Sequence, residues 1–413
     1  MQNSKLVKFL SGCLKLVIRG NAAYYAWVGF LLLLIAVGIG AYYRQMQHGL
    51  IVTNMRDPVS WAFFIGNFTF LVGVAAAAVV LVIPAYIYHW KPITEIVILG
   101  ELLAISSIIM CLLFVTVDIG RPDRIWHMLP GIGKLNFPSS ILAWDFIVLN
   151  IYLVLNVVIV GYILYKAFSK EAYNKKFIMP IIFLTIPMAV SIHTVTAFLY
   201  NGLTARPFWN SSILAPKFLC SAFCSGPAIM VILLQILRKT TKLEIKDEAI
   251  WKIAELMAYA AFLNLFLFGA EVFKEYYSAT HHLLHYQYMF WGIEGHRAIV
   301  PFAWLSLFFN IIAFFLFLVP SLRRNWVTLN IGCVLIYFGV YIEKGMTLLI
   351  PGFTPDTLGE IYEYTPSLNE ILVAAGIFSV GFLVYTLLVK IAIPIVMGEF
   401  HVDKSITSTT TKL

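Results

Sequence analysis

The residues best suited to chemistry are gathered in one stretch, Asp118-Ile119-Gly120-Arg121-Pro122-Asp123-Arg124-Ile125-Trp126-His127-Met128. Two carboxylates, two guanidinium groups and an imidazole this close together can take up and release protons and can bind a polarised carbonyl oxygen. Gly120 reads as the end of one helix, and Pro122 can begin a new helix but not continue the old one. A short interfacial helix from Pro122 to Leu129 is therefore expected, on which Asp123 and Arg124 share a face with His127. Two further polar groups belong to long apolar runs. Asp145, in Ala143-Trp144-Asp145-Phe146, falls about one turn inside a run that starts near 141. His193, in Ser191-Ile192-His193-Thr194-Val195-Thr196, lies about 10 Å from the end of another at helical rise. A carboxylate at the depth of Asp145 needs a partner, and His127 and Arg121 are the nearest in sequence. The group reads as a structural ion-pair corner between helices or as a proton-handling pair. The second reading is preferred, because polar groups inside a bilayer are expensive and mark function. His193 can equally be a neutral core imidazole satisfied by its hydroxyl neighbours.

Other constellations are weaker. His281, His282 and His285 have helical spacing for a shared ion, but in an aromatic loop without a clear carboxylate or thiolate partner they read as solvated interfacial residues. Glu294-Gly295-His296-Arg297 is similar. Glu271, Glu343 and Lys344 are intramembrane charges that face a cavity or hold helices together. Asn67, Asn264 and Asn310 read as interhelical hydrogen-bonding groups. Cys13, Cys111, Cys220, Cys224 and Cys333 include no C-x-x-C pair, so neither a disulfide framework nor a cysteine-ligated cluster is expected. No two histidines share a depth on facing spans, which argues against b haem.

The elements that position these groups follow from composition. Of 413 residues, 61% are apolar and only 12% charged, and the mean hydropathy is +0.86. An ordinary soluble domain is about 45 to 50% apolar and a quarter charged, so a soluble enzyme is excluded. Disorder is excluded as well. A helix needs about 20 apolar residues to cross the hydrocarbon. Ten such runs lie near 24–43, 59–88, 95–117, 141–165, 177–200, 212–237, 250–273, 298–318, 326–350 and 370–396. The fold class is thus an all-α integral membrane protein of about ten transmembrane helices, in two packed bundles. The net charge of +8 is spread along the chain and forms no nucleic-acid patch. Of the 29 Lys and Arg, 19 fall on the side of the two termini and 10 on the other, which predicts cytoplasmic termini. Loops 118–140, 201–211, 274–297 and 351–369 are then periplasmic. Residues 1–23 read as an amphipathic cytoplasmic segment rather than a cleavable signal, 24–397 as the membrane domain and 398–413 as a polar cytoplasmic tail.

The stretch Asp118-x-Gly120-Arg121-Pro122-x-Arg124-x-x-His127-Met128, with Trp144-Asp145, Ser191-x-His193-x-Val195 and the loop Pro207 to Gly226, resembles the NrfD/polysulfide reductase membrane subunit family. The resemblance covers about 50 to 390. Gly49 to Met55, Val59-Ser60-Trp61 and Asn67 to Gly73 look most like its ten-helix branch, which includes the DsrP subunit of sulfite-reduction-associated complexes. Subunits of the HmcC, QrcD and ActC types are also similar. Asp123 stands where the family commonly has glutamate. The resemblance implies a quinone-interacting subunit of a respiratory redox complex in a prokaryotic cytoplasmic membrane, with menaquinone or menaquinol as substrate. It implies no haem, flavin or iron–sulfur cluster on this chain, and electron transfer to a periplasmic iron–sulfur subunit. On the matching positions, His127, Asp145 and His193 become the proton-handling residues. Asp118, Arg121, Arg124, Trp144 and Asn67 become quinone-site residues. The rival reading is a secondary transporter or a structural anchor. Transporters favour midplane sites on broken helices; Pro187 and Pro227 are expected to interrupt spans, but the polar residues gather at one interface.

Overall fold

The computed structural model describes residues 2–402 apart from 95, 130 and 281. His281 and residues 403–413 of the expected tail lie outside the described residues. Among the described residues, ten helices are long and apolar enough to cross a membrane: Ala22–His48, Phe63–Ile87, Val97–Asp118, Ile141–Phe168, Lys175–Asn201, Leu214–Thr240, Asp247–Ser278, Val300–Leu318, Trp326–Phe353 and Leu368–Val396. They correspond one to one with the ten apolar runs, and the protein is a multi-pass membrane protein. Most helices outrun their apolar segment, because helical hydrogen bonding continues into the polar interface. The seventh span, for instance, begins with Asp247 and Glu248, whose charge suits a helix N-terminus.

The second to fifth spans pack as one bundle and the sixth to ninth as another, joined mainly where the second span meets the sixth. That junction uses small residues. A Cβ on Gly226 would stand 2.2 Å from the Cβ of Ala77 and 3.1 Å from the carbonyl of Gly73. Backbones in lipid associate through such close packing rather than through a hydrophobic effect. The first and tenth spans run together and lean on the third. Their closest approach is Gly38 on Gly376, where an added Cβ would meet backbone at 2.6 Å.

Two spans are interrupted, and neither break falls where the prolines suggested. Pro187 and Pro227 lie inside continuous helices, since one missing hydrogen bond is tolerated where neighbouring helices cover the site. The second span instead changes from α-helix to a π-turn over Ile83–Ile87, around Pro84. The ninth is split into Trp326–Lys344 and Met346–Phe353 by Gly345. Gly345 packs against Gly66 of the second span, so the break coincides with a close backbone contact between the bundles.

Both described ends of the chain reach one face. The helix Gln2–Ile18 rests on the fourth span through Phe9 against Tyr165 and Phe168, and Lys5 pairs with Glu171 at 3.0 Å. Phe400 packs on Phe168, and Glu399 pairs with Lys242 at 3.4 Å. Leu6, Val7, Leu10, Leu14 and Ile18 are left exposed, the stripe that an interfacial helix turns to lipid. The loops 49–62, 119–140, 202–213, 279–299 and 354–367 lie on the opposite face.

Candidate functional site

Ser140 caps the fourth span by accepting from the backbone N–H of Ala143, which sets the rotation of the first turn. Trp144 then points outward, donating its indole N–H to the carbonyl of Pro138 at 2.7 Å and packing on Phe137. Asp145, the next residue around the helix, points inward and is 2% exposed.

The partner of Asp145 is neither His127 nor Arg121 but Thr196 on the fifth span, whose hydroxyl lies 2.8 Å from Oδ1. The same hydroxyl lies 2.7 Å from the carbonyl of Ile192 on its own helix. One hydroxyl proton thus faces two acceptors. When Asp145 is ionised, Thr196 donates to the carboxylate. When Asp145 is protonated, the carboxyl donates to Oγ1 and the hydroxyl turns to Ile192. Both protonation states are accommodated by one rotation, the property required of a carboxylate that cycles protons.

His193 stands three residues earlier on the same face of the fifth span. Its Nδ1 is 3.2 Å from the carbonyl of Ala189. A carbonyl can only accept, so Nδ1 carries the proton, and the neutral ring presents the lone pair of Nε2. That nitrogen is buried and has no hydrogen-bond partner among the described residues. Lys344, at the break in the ninth span, lies within electrostatic range of His193 and donates to the carbonyl of Phe218 at 2.9 Å.

Asn67 links the bundles. Its Oδ1 accepts from the Tyr341 hydroxyl at 2.8 Å, and its Nδ2 donates to the carbonyl of Phe63 at 2.7 Å. Thr69 and Tyr200 share a short hydroxyl contact. One turn beyond Thr196, Tyr200 joins Trp61, Trp209 and Phe353 in an aromatic group, tied down by the Trp209 indole donating to the carbonyl of Leu348.

The motif at 118–128 does not converge on this centre. Pro122–Met128 is a 3-10 helix. With three residues per turn, Arg124 and His127 align but Asp123 and His127 do not. Arg121 holds Asp123 through two 2.9 Å hydrogen bonds on the surface, which pulls the Asp123 carboxyl below its usual range and pushes the guanidinium up. Arg124 and His127 are exposed, and His127 touches the ring of Trp126. Asp118 turns the other way. Its Oδ1 is buried without a hydrogen-bond partner among the described residues, within electrostatic range of Glu370. Glu370 accepts from the Tyr364 hydroxyl and from the N–H groups of Asn54 and Ser367 at 2.9 and 2.8 Å. Burial, with Glu370 beside it, pushes the Tyr364 phenol above its ordinary value.

Several polar groups escaped the sequence reading. Glu101, on the third span, is buried with one carboxylate oxygen unpartnered. Lys217 forms a buried ion pair with Glu271 at 3.2 Å. A charge inside an apolar run was the available signal for both. His285, expected to be solvated at the interface, is instead buried against the carbonyl of Pro351 at 2.7 Å because its helix packs on the second half of the ninth span, and burial holds its imidazole below the ordinary range. Among the described residues, no group of three His, Cys, Asp or Glu could hold a metal ion.

Two bundles of transmembrane helices with buried titratable groups near one face define a polytopic membrane protein. The profile of the polysulphide reductase NrfD family matches residues 51–355, and the chain belongs to that family. It is 28% identical to a Halobacterium salinarum protein named as a putative dimethyl sulfoxide reductase membrane component, covering 87% of this chain and 88% of the relative. It is 23% identical to the Hdr-like menaquinol oxidoreductase integral membrane subunit of Archaeoglobus fulgidus, covering 89% and 93%. It is also 23% identical to the menaquinone reductase integral membrane subunit of Nitratidesulfovibrio vulgaris, covering 78% and 80%.

Proposed function

We propose that this chain is the quinone-interacting membrane subunit of a respiratory redox complex. It oxidises menaquinol toward the face opposite the termini, taken as periplasmic, and passes the electrons to an iron–sulfur subunit docked there. The observation that carries the reading is the buried trio Asp145, Thr196 and His193, which offers two empty proton acceptors near that face. Oxidation of one menaquinol releases two protons and two electrons. His193 Nε2 accepts one proton, the Asp145 carboxylate accepts the other through its Thr196 contact, and both electrons leave to the partner. Asn67, Trp144 and Asp118 border the approach to this centre. Exposed His127, with Arg121 and Arg124, occupies the aqueous surface where protons depart and the partner sits. Relatives named for both menaquinol oxidation and menaquinone reduction support quinone chemistry of either direction.

A photoreactive quinone analogue applied to the intact complex tests the placement. Labelled peptides from the third to fifth spans are expected, and their absence would sink it. The break at Gly345 favours the transporter reading instead. Solute uptake by vesicles that hold this chain without any partner would support that rival.

A further inference from the structure

The second bundle contains a carboxylate centre that the proposed reaction does not use. Oε2 of Glu343 accepts from the side-chain amides of Asn310 at 2.8 Å and Asn264 at 3.2 Å, joining the seventh, eighth and ninth spans. The three residues line an internal cavity of about 20 Å³, room for one water molecule. The hydroxyls in its wall are already committed as donors, Ser306 to the carbonyl of Gly339 and Thr347 to that of Glu343. Among the described residues, Asn264 Oδ1 and Asn310 Oδ1 are both buried without a donor, the latter lying against Gly339. The cavity is therefore short of donors, and a group bringing an O–H is what it lacks.

Beside it, a groove of about 420 Å³ opens laterally between the seventh and eighth spans. The cavity and the groove share Leu265, Phe268, Phe290 and Leu307, so only these side chains separate them. The outer wall is aromatic and rigidly held. The Trp304 indole donates to the carbonyl of Phe290, and that of Trp291 donates to the Tyr276 hydroxyl, each at 3.0 Å. Its floor is Gly269, where an added Cβ would meet nothing within 4 Å. A glycine in a helix interior costs about 1 kcal/mol against alanine. No protein contact accounts for it here, and it keeps the groove open.

We propose that this groove binds the aromatic head of a second isoprenoid hydroquinone, which on binding turns the dividing side chains aside so that one hydroxyl reaches Glu343 and Asn264, the tail leaving between the spans into lipid. The volume falls within the usual range of about 300 to 1,000 Å³ for small-molecule sites, and an apolar wall with few convergent polar groups is their usual form. The reduced form is selected because a hydroquinone donates where a quinone can only accept. This inference rests on the quinone reading above but concerns a different bundle, and it assigns binding without electron transfer.

The intact complex is treated with a tail-bearing azido-quinone under reducing conditions, and bound quinone is counted by extraction. Label is expected in segments 265–276 and 290–311, in addition to the third to fifth spans. Gly269→Leu projects into the groove from a position where the added Cβ meets nothing within 4 Å, and it should remove only that label, halving the bound quinone per chain. Gly161→Leu, at an equally open position on the fourth span, should change neither. Glu343→Gln keeps the shape and should weaken groove labelling at least tenfold, the loss expected for a hydrogen bond to a charged acceptor. Unlabelled groove segments in the unaltered complex overturn the inference while leaving the first-bundle reading intact. A groove that a phospholipid photoprobe labels, and that excess hydroquinone does not protect, is an acyl-chain slot, which also overturns it. Label in the groove but not in the third to fifth spans refutes the first-bundle reading alone.

Discussion

Replacing Asp145 with asparagine separates proton chemistry from packing. The amide occupies the carboxylate's volume and can donate to Thr196 Oγ1, which then gives its proton to the carbonyl of Ile192, 2.7 Å away. Thr196 and the Ile192 carbonyl both keep their partners, so stability should change by less than about 1 kcal/mol, the net worth of one ordinary hydrogen bond. What is lost is the ability to take a proton. A positioned acid or base contributes about 10²- to 10⁴-fold to rate, and menaquinol oxidation by Asp145→Asn should fall within that range. Thr196→Val has the opposite signature. It strips the donor 2.8 Å from a buried carboxylate, which costs about 1 to 3 kcal/mol and lowers the melting temperature. The assay is steady-state oxidation of a short-tailed menaquinol by the purified complex, normalised to the amount of this chain present, beside thermal unfolding of the same samples. If Asp145→Asn turns over within threefold of the unaltered complex, Asp145 does not accept a proton in the reaction. If it prevents assembly, the aspartate is a structural corner. Either result refutes the two-state argument.

Lys217→Met should destabilise the protein by about 3 to 5 kcal/mol, because it leaves Glu271 buried without its counter-charge; adding Glu271→Leu should restore most of the melting temperature. Gly376→Val, set 2.8 Å from the backbone of Gly38, should cost about 1 to 3 kcal/mol by overpacking, and increased cysteine accessibility along the first span would report its separation. Glu171→Gln should release the helix Gln2–Ile18 and speed proteolysis after Lys8. Hydrogen bonds from Lys166 and Lys5 hold the Glu171 carboxyl down at about 2, against an ordinary 4.5. Its contribution is thus fully present above pH 4.5 and is lost only as pH falls toward 2, so the unaltered chain should show no such release between about pH 5 and 8.

The ten spans were legible because the length and hydrophobicity of an apolar run are properties of contiguous sequence, and a bilayer imposes one length on all of them. Asp145 and His193 were legible for a related reason: a polar residue in such a run is costly, and its distance from the run's end gives its depth. Glu101 and Lys217 carried the same signal. What contiguous sequence does not encode is the rotation of one helix against another. Thr196 becomes the partner of Asp145 because the fourth and fifth spans present those faces to each other, whereas His127, nearer in sequence, is carried to the surface by a 3-10 turn. Asp118 ends the third span and faces inward, whereas Arg121, just before the 3-10 turn, faces outward, dividing a motif that reads as one unit on paper. The break at Gly345 was decided by its contact with Gly66 on another helix, while Pro187 and Pro227 left their helices whole. The length of a contiguous apolar run specifies which segments enter the membrane, and only side-chain packing between segments distant in sequence specifies which polar groups meet inside it.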